Sequence, residues 1–187
     1  MAFPALLDAC VLYPVGLRDL LLSVAERAVY TSHWTEAILD EMARNIVSDG
    51  GSTAEKIATM RQQMAAAFPD ALIEGYEQLV PVMTNHPKDR HVLAAAVRGN
   101  VGLIVTENVR DFPESACAPY DIEVQTADEF LSYAFDQDPL AVVGAVHAMA
   151  GKGRNPPMTA PELLVALAGR LATFTSEATP LLGSVLP

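Results

Sequence analysis

The hydrophobic and polar positions of the chain form two alternating patterns. Short apolar runs are typical of buried strands, and they cover residues 5–12, 29–31, 102–106 and 122–125. The first of these runs is predicted to end its strand on a carboxylate, Asp8. Apolar residues recur at helical spacing between the runs, over residues 15–25, 35–45, 52–68 and 90–98. Strands that alternate with helices predict an α/β domain with a mainly parallel central sheet.

Local signals predict where several elements begin. Ser52 and Glu55 have the spacing of a capping box and predict the start of a helix, and Thr126 and Glu129 do the same further along. Residues 79–83 are apolar and are predicted to be extended. The chain has no internal repeat and no low-complexity tract.

From about Asp138 onward the pattern is helical only. Asp138 and Pro139 predict the start of one helix, and Thr159 with Glu162 has the capping-box spacing of another. Each helix has an apolar face, which we expect to pack on the α/β domain or on a partner. These faces consist of Leu140, Val143, Val146, His147 and Ala150, and of Leu163, Leu164, Leu167 and Leu171.

The two C-terminal helices are separated by a Gly/Pro-rich loop over residues 151–157. Lys152 and Arg154 in this loop are among the few basic residues of the second half of the chain, and a solvated loop is the expectation for them. The residues at the C-terminal end are apolar without clear periodicity. We therefore predict an α/β domain over residues 1–135 and a helical C-terminal extension over residues 136–187.

The charge of the chain argues against broad, nonspecific binding of nucleic acid. Twelve Lys and Arg stand against 23 Asp and Glu, which gives a net charge of -11 over 187 residues. Nonspecific binding rests on cationic side chains that neutralise phosphates. Any function on nucleic acid must therefore depend on local basic residues or on bound cations.

Cysteine usage and hydropathy predict a reduced, cytoplasmic protein without a membrane segment. Cys10 and Cys117 are too few for a disulfide framework, and Cys10 is expected to be a small core residue. The N-terminal residues have no basic stretch before their apolar run, so no secretory signal is predicted. No apolar run is long enough for a transmembrane helix.

Acidic and amide side chains recur where the predicted strands end. Asp8 ends the first strand, Glu41 lies in the helix after the second, and Asp89 starts a helix. Asn108 and Asp111 follow the strand over residues 102–106. Because ligands of open α/β sheets gather at the carboxyl ends of the strands, these side chains are expected to converge. Oxygen ligands of this kind suit Mg²⁺ or Mn²⁺, which would support attack of water on a phosphodiester.

Each of these residues also has a structural interpretation. Asp89 is of a type favoured at helix N-caps, and Glu41 in a helix is ordinarily solvated. Asn108 and Asp111 fit an ordinary loop, and Asp111 fits a turn before a Phe-Pro pair. Asp8 in an apolar strand is costly unless it is paired or binds an ion. The joint placement of the five residues favours the functional interpretation.

Four segments resemble the four sequence blocks of PIN domains. They are LLDACVLY at 6–13, TEAILDE at 35–41, PKDRHVLAAA at 87–96 and IVTENVRDFP at 104–113. Their order and spacing are similar to those of the VapC-like endoribonucleases, the toxins of toxin–antitoxin pairs. The resemblance covers about residues 3–131.

The resemblance implies a three-layer α/β/α fold, Mg²⁺ or Mn²⁺ as cofactor, and hydrolysis of RNA that leaves a 5′-phosphate and a 3′-hydroxyl. By position, Asp8, Glu41 and Asp89 match the acidic ligands of the family. Asn108 occupies the fourth acidic position, where it can coordinate or hold a water while lowering the negative charge, and Asp111 is the candidate to compensate. Thr106 resembles the hydroxyl residue that orients one of the acids. The implied partners are RNA and a cognate antitoxin, with a second copy of the chain as a further option.

Two other functional classes stay open. A PIN-like module that binds RNA or protein without cutting is favoured by Asn108 and by the acidic surface, whereas the three intact acids argue against it. A purely structural α/β module predicts no effect of divalent metal. Phosphatases of the haloacid-dehalogenase type require a second Asp where this chain has Cys10. No Gly-rich phosphate loop is found, and the histidines (His33, His86, His91 and His147) have no metal-ligand spacing and are expected at the surface.

Overall fold

The computed structural model describes residues 2–152 and 158–182. Its strands are β1 (Phe3–Leu7), β2 (Tyr30–His33), β3 (Leu103–Val105) and β4 (Glu123–Gln125). Its α-helices are α1 (Ala9–Leu12), α2 (Val15–Ala25), α3 (Glu36–Ser48), α4 (Ala54–Ala67), α5 (Arg90–Gly99), α6 (Glu114–Cys117), α7 (Ala127–Gln137), α8 (Pro139–Ala150), α9 (Ala160–Leu167) and α10 (Ala172–Leu182). Short 3-10 helices cover Glu77–Val82, Pro87–Asp89, Val109–Asp111 and Ala118–Tyr120. The predicted α/β class with further helices at the C-terminal end is confirmed.

The four strands form one sheet in the order β2-β1-β3-β4. Strand β3 runs parallel to both of its neighbours, with Ile104 opposite Leu6 on one side and Val124 on the other. All three residues of β3 are buried, as expected for a central strand of a parallel sheet. The carboxyl ends of β1 and β3 therefore lie side by side at one edge of the sheet.

The chain forms two compact units, each built from segments that are not continuous in the sequence. The sheet unit consists of Pro4–Pro14 and Thr31–Thr126. The helical unit consists of Met1–Phe3, Val15–Tyr30 and Ala127–Pro187. The N-terminal helix α2 thus belongs with the C-terminal helices. The sequence-based boundary at residue 135 stays a prediction.

Within the helical unit, α2 packs on α8, and α7 packs on both α8 and α10. Aromatic rings fill part of this interior: the Tyr30 and Phe130 rings meet edge to face with centroids 4.8 Å apart. The Tyr30 hydroxyl, buried among apolar groups, donates to the Leu21 carbonyl at 2.9 Å, which satisfies its polar atom. Leu140 was expected on the buried face of α8, and this is wrong, because its side chain is 66% exposed.

Helix α10 was not predicted from the sequence. Its first turn is capped from a distance, since the Thr173 and Phe174 amides donate to the Asp128 carboxylate at 3.0 and 2.9 Å. Such a cap supplies acceptors to the otherwise unpaired amides of a helix N-terminus. A carboxylate 45 positions away in the chain gives no local signal of this role.

The first strand was predicted to end on Asp8, and β1 does end immediately before it, because the Asp8 side chain caps helix α1. Two further local predictions are wrong at the level of single elements. Thr53, not Ser52, caps α4, and its hydroxyl accepts from the Lys56 amide at 3.4 Å. Residues 79–83 were predicted to be extended, but most of them lie in a 3-10 helix, which suits Pro81 because proline has no amide to donate to a sheet.

No helix in the described part of the chain is long and apolar enough to cross a membrane. The predicted loop over residues 151–157 lies mostly outside the described residues, and so does Arg154.

Candidate metal centre

Asp8 marks the point where β1 ends in the sheet unit. Its backbone amide donates to the Val105 carbonyl of β3 at 3.1 Å, so the residue is fixed at the carboxyl edge of the sheet. Its side chain then turns back to accept the Ala9 amide at 2.7 Å and begins α1. Only 3% of Asp8 is exposed. A carboxylate this deeply buried needs partners that offset its loss of water.

The second oxygen of Asp8 has its partners in the segment that follows β3. The Thr106 hydroxyl donates to Oδ2 of Asp8 at 2.7 Å, and Thr106 is itself fully buried. The Asn108 amide donates to the same hydroxyl oxygen at 3.1 Å. Thr106 thus links the Asp8 carboxylate to the turn that carries the residues after β3.

Cys10 is part of this arrangement, which the sequence analysis missed when it assigned Cys10 to the core. Its thiol donates to Oδ2 of Asp8 at 3.3 Å, and its sulfur accepts the Glu107 amide at 3.2 Å. Burial and the Asp8 charge raise the pKa of the thiol to about 12, so it stays protonated and can keep donating. The position of Cys10 in the first turn of α1, two residues after Asp8, was the only available signal.

Asp89 is buried at the start of α5, and it does not act as a side-chain cap there. Burial, the charges of Asp8 and Asp111 and a hydrogen bond with Asp111 together raise the pKa of Asp89 to about 6, against a smaller opposite effect of His86. A raised pKa of this origin means that several carboxylates compete for one region without enough positive charge. The N-cap interpretation therefore does not explain Asp89.

Asp111, unlike Asn108, is brought against Asp89. Asn108 and Asp111 lie at the two ends of one turn, in which the Asp111 backbone amide donates to the Asn108 carbonyl at 2.8 Å. Asn108 is exposed and makes no side-chain cap bond, whereas Asp111 is half-buried. The roles assigned to both residues from the sequence stay predictions.

Glu41 differs from the other acidic residues of α3 in the side chain that it contacts. Asp40 and Glu36 both pair with Arg61, the former at 2.7 Å. Glu41 instead has Oε2 4.0 Å from Nε2 of His91. Burial lowers the pKa of His91, while the charges of Asp8 and Glu41 oppose this shift. His91 therefore lies within electrostatic reach of both carboxylates.

His86 was expected at an unremarkable surface position, and the structure gives it a different setting. Ligand atoms of His86, Asp89 and Asp111 all lie within 4.8 Å of one another. Nδ1 of His86 is 3.6 Å from Oδ2 of Asp89. Because histidine positions carry no periodic signal, only the three-dimensional arrangement reveals this contact.

One known protein is similar to this chain over about three quarters of its length. A Mycobacterium tuberculosis protein named "Putative ribonuclease VapC50" is 40% identical over 136 residues, which are 73% of this chain and 77% of that protein. This chain belongs to the VapC family. The resemblance to VapC-like PIN domains carried by the four sequence blocks is thereby confirmed.

The C-terminal part of this VapC family member matches a separate family model. Residues 127–180 match the family model described as the VapC50 C-terminal domain. The match begins before residue 136, where we placed the extension, and it lies inside the helical unit. No solved structure is significantly similar to the chain.

The donor set of the sheet unit fits a divalent cation. We refer to Asp8, Glu41, Asp89 and Asp111 as the acidic cluster, although among the described residues only Asp89 and Asp111 of the four belong, with His86, to a group whose ligand atoms lie within 4.8 Å of one another. Hard divalent ions favour carboxylate oxygens, and a cation would offset both the burial of the Asp89 charge and its repulsion by Asp8 and Asp111, the causes that raise its pKa. The carboxylate and imidazole groups of this site therefore have the chemistry that a divalent cation requires.

Proposed function

We propose that this chain is a divalent-metal-dependent endoribonuclease, the toxin of a toxin–antitoxin pair, which hydrolyses RNA phosphodiester bonds in the cytoplasm. The observation that carries the proposal is Asp89, a buried carboxyl whose pKa is raised to about 6 beside Asp8 and Asp111. Perturbed groups of this kind concentrate at functional sites. The ribonuclease name of the relative and the two free cysteines of the chain support the activity and the location.

The acidic cluster would hold Mg²⁺ or Mn²⁺. When bound, such an ion supplies positive charge to a phosphodiester and activates water for attack on phosphorus. The chain orients the ligands in advance, because Thr106 and Cys10 both donate to Oδ2 of Asp8. The exposed amide of Asn108 is proposed to coordinate or to hold a water beside the acids.

Basic residues adjoin the acidic cluster in the sequence. They could bind RNA locally, although the net charge of -11 opposes broad binding of nucleic acid. Lys88 and Arg90 border Asp89 in the chain, and Arg110 precedes Asp111. Arg44 lies close enough to His91 for its charge to lower the pKa of that histidine. Lys88, Arg110 and Arg44 are exposed, so they are free to meet phosphate. RNA binding is therefore proposed to be local to this edge of the sheet.

The proposed antitoxin would block the same edge. A guanidinium fork can bind two carboxylate oxygens at once and compete with a metal ion for them. Glu41 is 41% exposed and His86 is 46% exposed, so the cluster can be approached from solvent. We expect an Arg-bearing segment of the antitoxin to enter here. Self-association of the chain stays a prediction.

The deciding experiment is RNA cleavage by metal-stripped protein to which Mg²⁺ or Mn²⁺ is returned. We expect cleavage only with metal, and its loss in Asp8→Asn and Asp89→Asn. Asp121→Asn is the matched control, because Asp121 is an exposed carboxylate in the same unit. Melting curves recorded in parallel should rise with metal for wild type, since an ion bound only by the folded state stabilises it.

Two outcomes would replace the proposal. RNA that is bound but never cut, at any metal concentration, would make the chain a non-catalytic binding module. A melting temperature indifferent to millimolar metal, together with no cleavage, would make it a structural module.

The roles of Asp111 and Asn108 can be separated in the same assay. Asp111→Asn should weaken metal binding about tenfold or more, because it removes a carboxylate next to Asp89. Asn108→Ala should change metal affinity less, because its side chain is exposed. Equal losses in metal affinity would instead place both residues on the ion.

A further inference from the structure

Backbone hydrogen bonds join His86 to Asp89 and to Asp111. Its amide donates to the Asp111 carbonyl at 3.0 Å, and its carbonyl accepts the Asp89 amide at 2.9 Å. These two bonds fix the position of His86 relative to Asp89, in the same turn, and to Asp111, which lies in the turn after β3.

Pro87 further restricts His86. A residue before proline is held in an extended conformation, and His86 has φ -53° and ψ 132°. The 3-10 turn that begins at Pro87 then returns the chain to Asp89. The imidazole and the Asp89 carboxylate therefore face each other across one tight turn, with Nδ1 3.6 Å from Oδ2.

The imidazole has a lone pair to offer. Nδ1 of His86 accepts a long hydrogen bond, 3.4 Å, from the Lys88 amide. Histidine binds a metal ion through the lone pair of a ring nitrogen. The contact with Lys88 is long enough that an ion would replace it at little cost.

We propose that His86 supplies a nitrogen ligand to the divalent ion of this centre and makes the centre favour first-row transition ions over Mg²⁺. The inference rests on the proposed function, because it concerns the ion that the acidic cluster would hold. Mg²⁺ strongly favours oxygen ligands, whereas Mn²⁺ and the ions after it in the first row accept imidazole with increasing affinity. One nitrogen beside the carboxylates therefore shifts the preference of the site.

His91 provides the matched control. It is the other histidine of the sheet unit near a carboxylate of the acidic cluster, with Nε2 4.0 Å from Oε2 of Glu41. Its Nδ1 is buried without a hydrogen-bond partner in the structure. His86 and His91 thus have comparable distances to an acid, but only His86 belongs to a group whose ligand atoms lie within 4.8 Å of one another.

The first test is pulsed electron paramagnetic resonance of Mn²⁺ added to the full-length, metal-stripped protein without RNA. We expect nitrogen modulation from a directly bound imidazole in wild type and in His91→Gln. The modulation should disappear in His86→Gln while Mn²⁺ stays bound through the carboxylates. Circular dichroism verifies that each variant is folded.

The second test is calorimetric titration with Mn²⁺ and with Mg²⁺. His86→Asp replaces the nitrogen by an oxygen ligand and should reduce the preference for Mn²⁺. The Mg²⁺ dissociation constant divided by the Mn²⁺ dissociation constant should therefore fall by about tenfold. His91→Gln should leave this ratio unchanged.

The outcomes separate the inference from the function on which it rests. Bound Mn²⁺ without nitrogen modulation, or modulation lost in His91→Gln and kept in His86→Gln, overturns the assignment to His86 and leaves metal-dependent cleavage intact. An unchanged metal ratio in His86→Asp overturns the claim of selectivity. Absence of Mn²⁺ binding in wild type overturns both the inference and the proposed function.

Discussion

The Thr106 hydroxyl and the Asp8 carboxylate form a 2.7 Å hydrogen bond between residues 98 positions apart. The bond exists because β1 and β3 are adjacent and parallel, which places the residues that follow each strand side by side. Thr106 is fully buried, so its hydroxyl has no competing water. The orientation of the Asp8 carboxylate thus depends on a residue that need not touch an ion or a substrate.

Removing this hydroxyl should weaken metal binding without disturbing the shape of the site. Thr106→Val keeps the volume of the side chain and removes its donor to Asp8. We expect a loss of roughly 10- to 100-fold in metal affinity, with a parallel loss of cleavage. Thr106→Ser keeps the hydroxyl and should retain most of both. Calorimetric metal titration is the measurement, and equal affinity in Thr106→Val and wild type would contradict an orienting role.

The metal-free protein should gain stability when Asp89 loses its charge. The folded-state pKa of Asp89 is about 6, above that of an ordinary Asp, so its ionised form opposes folding. Asp89→Asn should therefore be more stable than wild type at pH 7 by roughly 1 to 3 kcal/mol. The difference should shrink as the pH falls from about 6 and be lost near the unfolded pKa of about 4, where wild type is also neutral.

Urea unfolding in chelator, repeated between pH 4 and 7.5, measures this difference. The control is Asp121→Asn: Asp121 is exposed, and its left-handed φ of 53° suits Asn equally well. A stability difference between wild type and Asp89→Asn that does not change with pH would show that the ionisation of Asp89 is not its cause.

The basic residues next to the acidic cluster should determine how RNA binding responds to salt. Lys88→Gln and Arg110→Gln should each weaken binding and reduce the slope of log Kd against log salt by about 0.7, the value for one contact to a single strand. Arg170→Gln, an exposed change in the helical unit, should leave the slope unchanged. Fluorescence anisotropy in the Asp8→Asn background avoids cleavage during the titration. An equal effect of all three variants would mean that binding is not local to the proposed edge.

Much of the fold could be predicted because the relevant signals are local. Helix α2 begins and ends where apolar periodicity predicts it, at Val15 and Ala25. The capping box of Thr159 and Glu162 also forms as predicted. Helix α10 could not be predicted, because its start depends on a distant partner. Its first amides donate to the Asp128 carboxylate, and no local sequence pattern reveals this cap.

The candidate site divides in the same way. Asp8 could be proposed because a carboxylate in an apolar strand is costly and therefore informative, and Asp89 could be proposed from its placement together with the other acids. His86 and Cys10 could not, because a histidine in a loop and a cysteine in an apolar run are common for structural reasons. Their settings arise from the pairing of β1 with β3 and from the turn between His86 and Asp89.

The cap on α10 should stabilise the helical unit without affecting the metal centre. Asp128→Ala removes the acceptor of two backbone amides and should cost about 1 to 2 kcal/mol. Asp136→Ala in the same helix is the control, because Asp136 is exposed and lies more than two helical turns from Asp128. Metal affinity of the folded Asp128→Ala protein should equal that of wild type. A melting temperature unchanged by Asp128→Ala would show that the two hydrogen bonds contribute nothing net.

Helix α8 supports the helical unit through its buried face. Val143 is fully buried, and α8 packs on α2, α7 and α9. Val143→Ala should cost about 2 kcal/mol through lost burial and the cavity that remains. Leu140→Ala in the same helix should change stability by less than about 0.5 kcal/mol, because Leu140 is 66% exposed.

Deleting residues 138–187 should have a larger effect of the same kind. The deletion removes α8, α9 and α10, so the apolar faces of α2 and α7 lose their partners and should drive aggregation. Cleavage per folded molecule should nevertheless persist, because Asp8, Glu41, Asp89 and Asp111 all lie in the sheet unit. The measurement is the cleavage rate of the soluble fraction, with folding verified by circular dichroism. A truncated protein that is folded and binds metal as wild type does but cannot cut RNA would show that the helical unit contributes part of the active site.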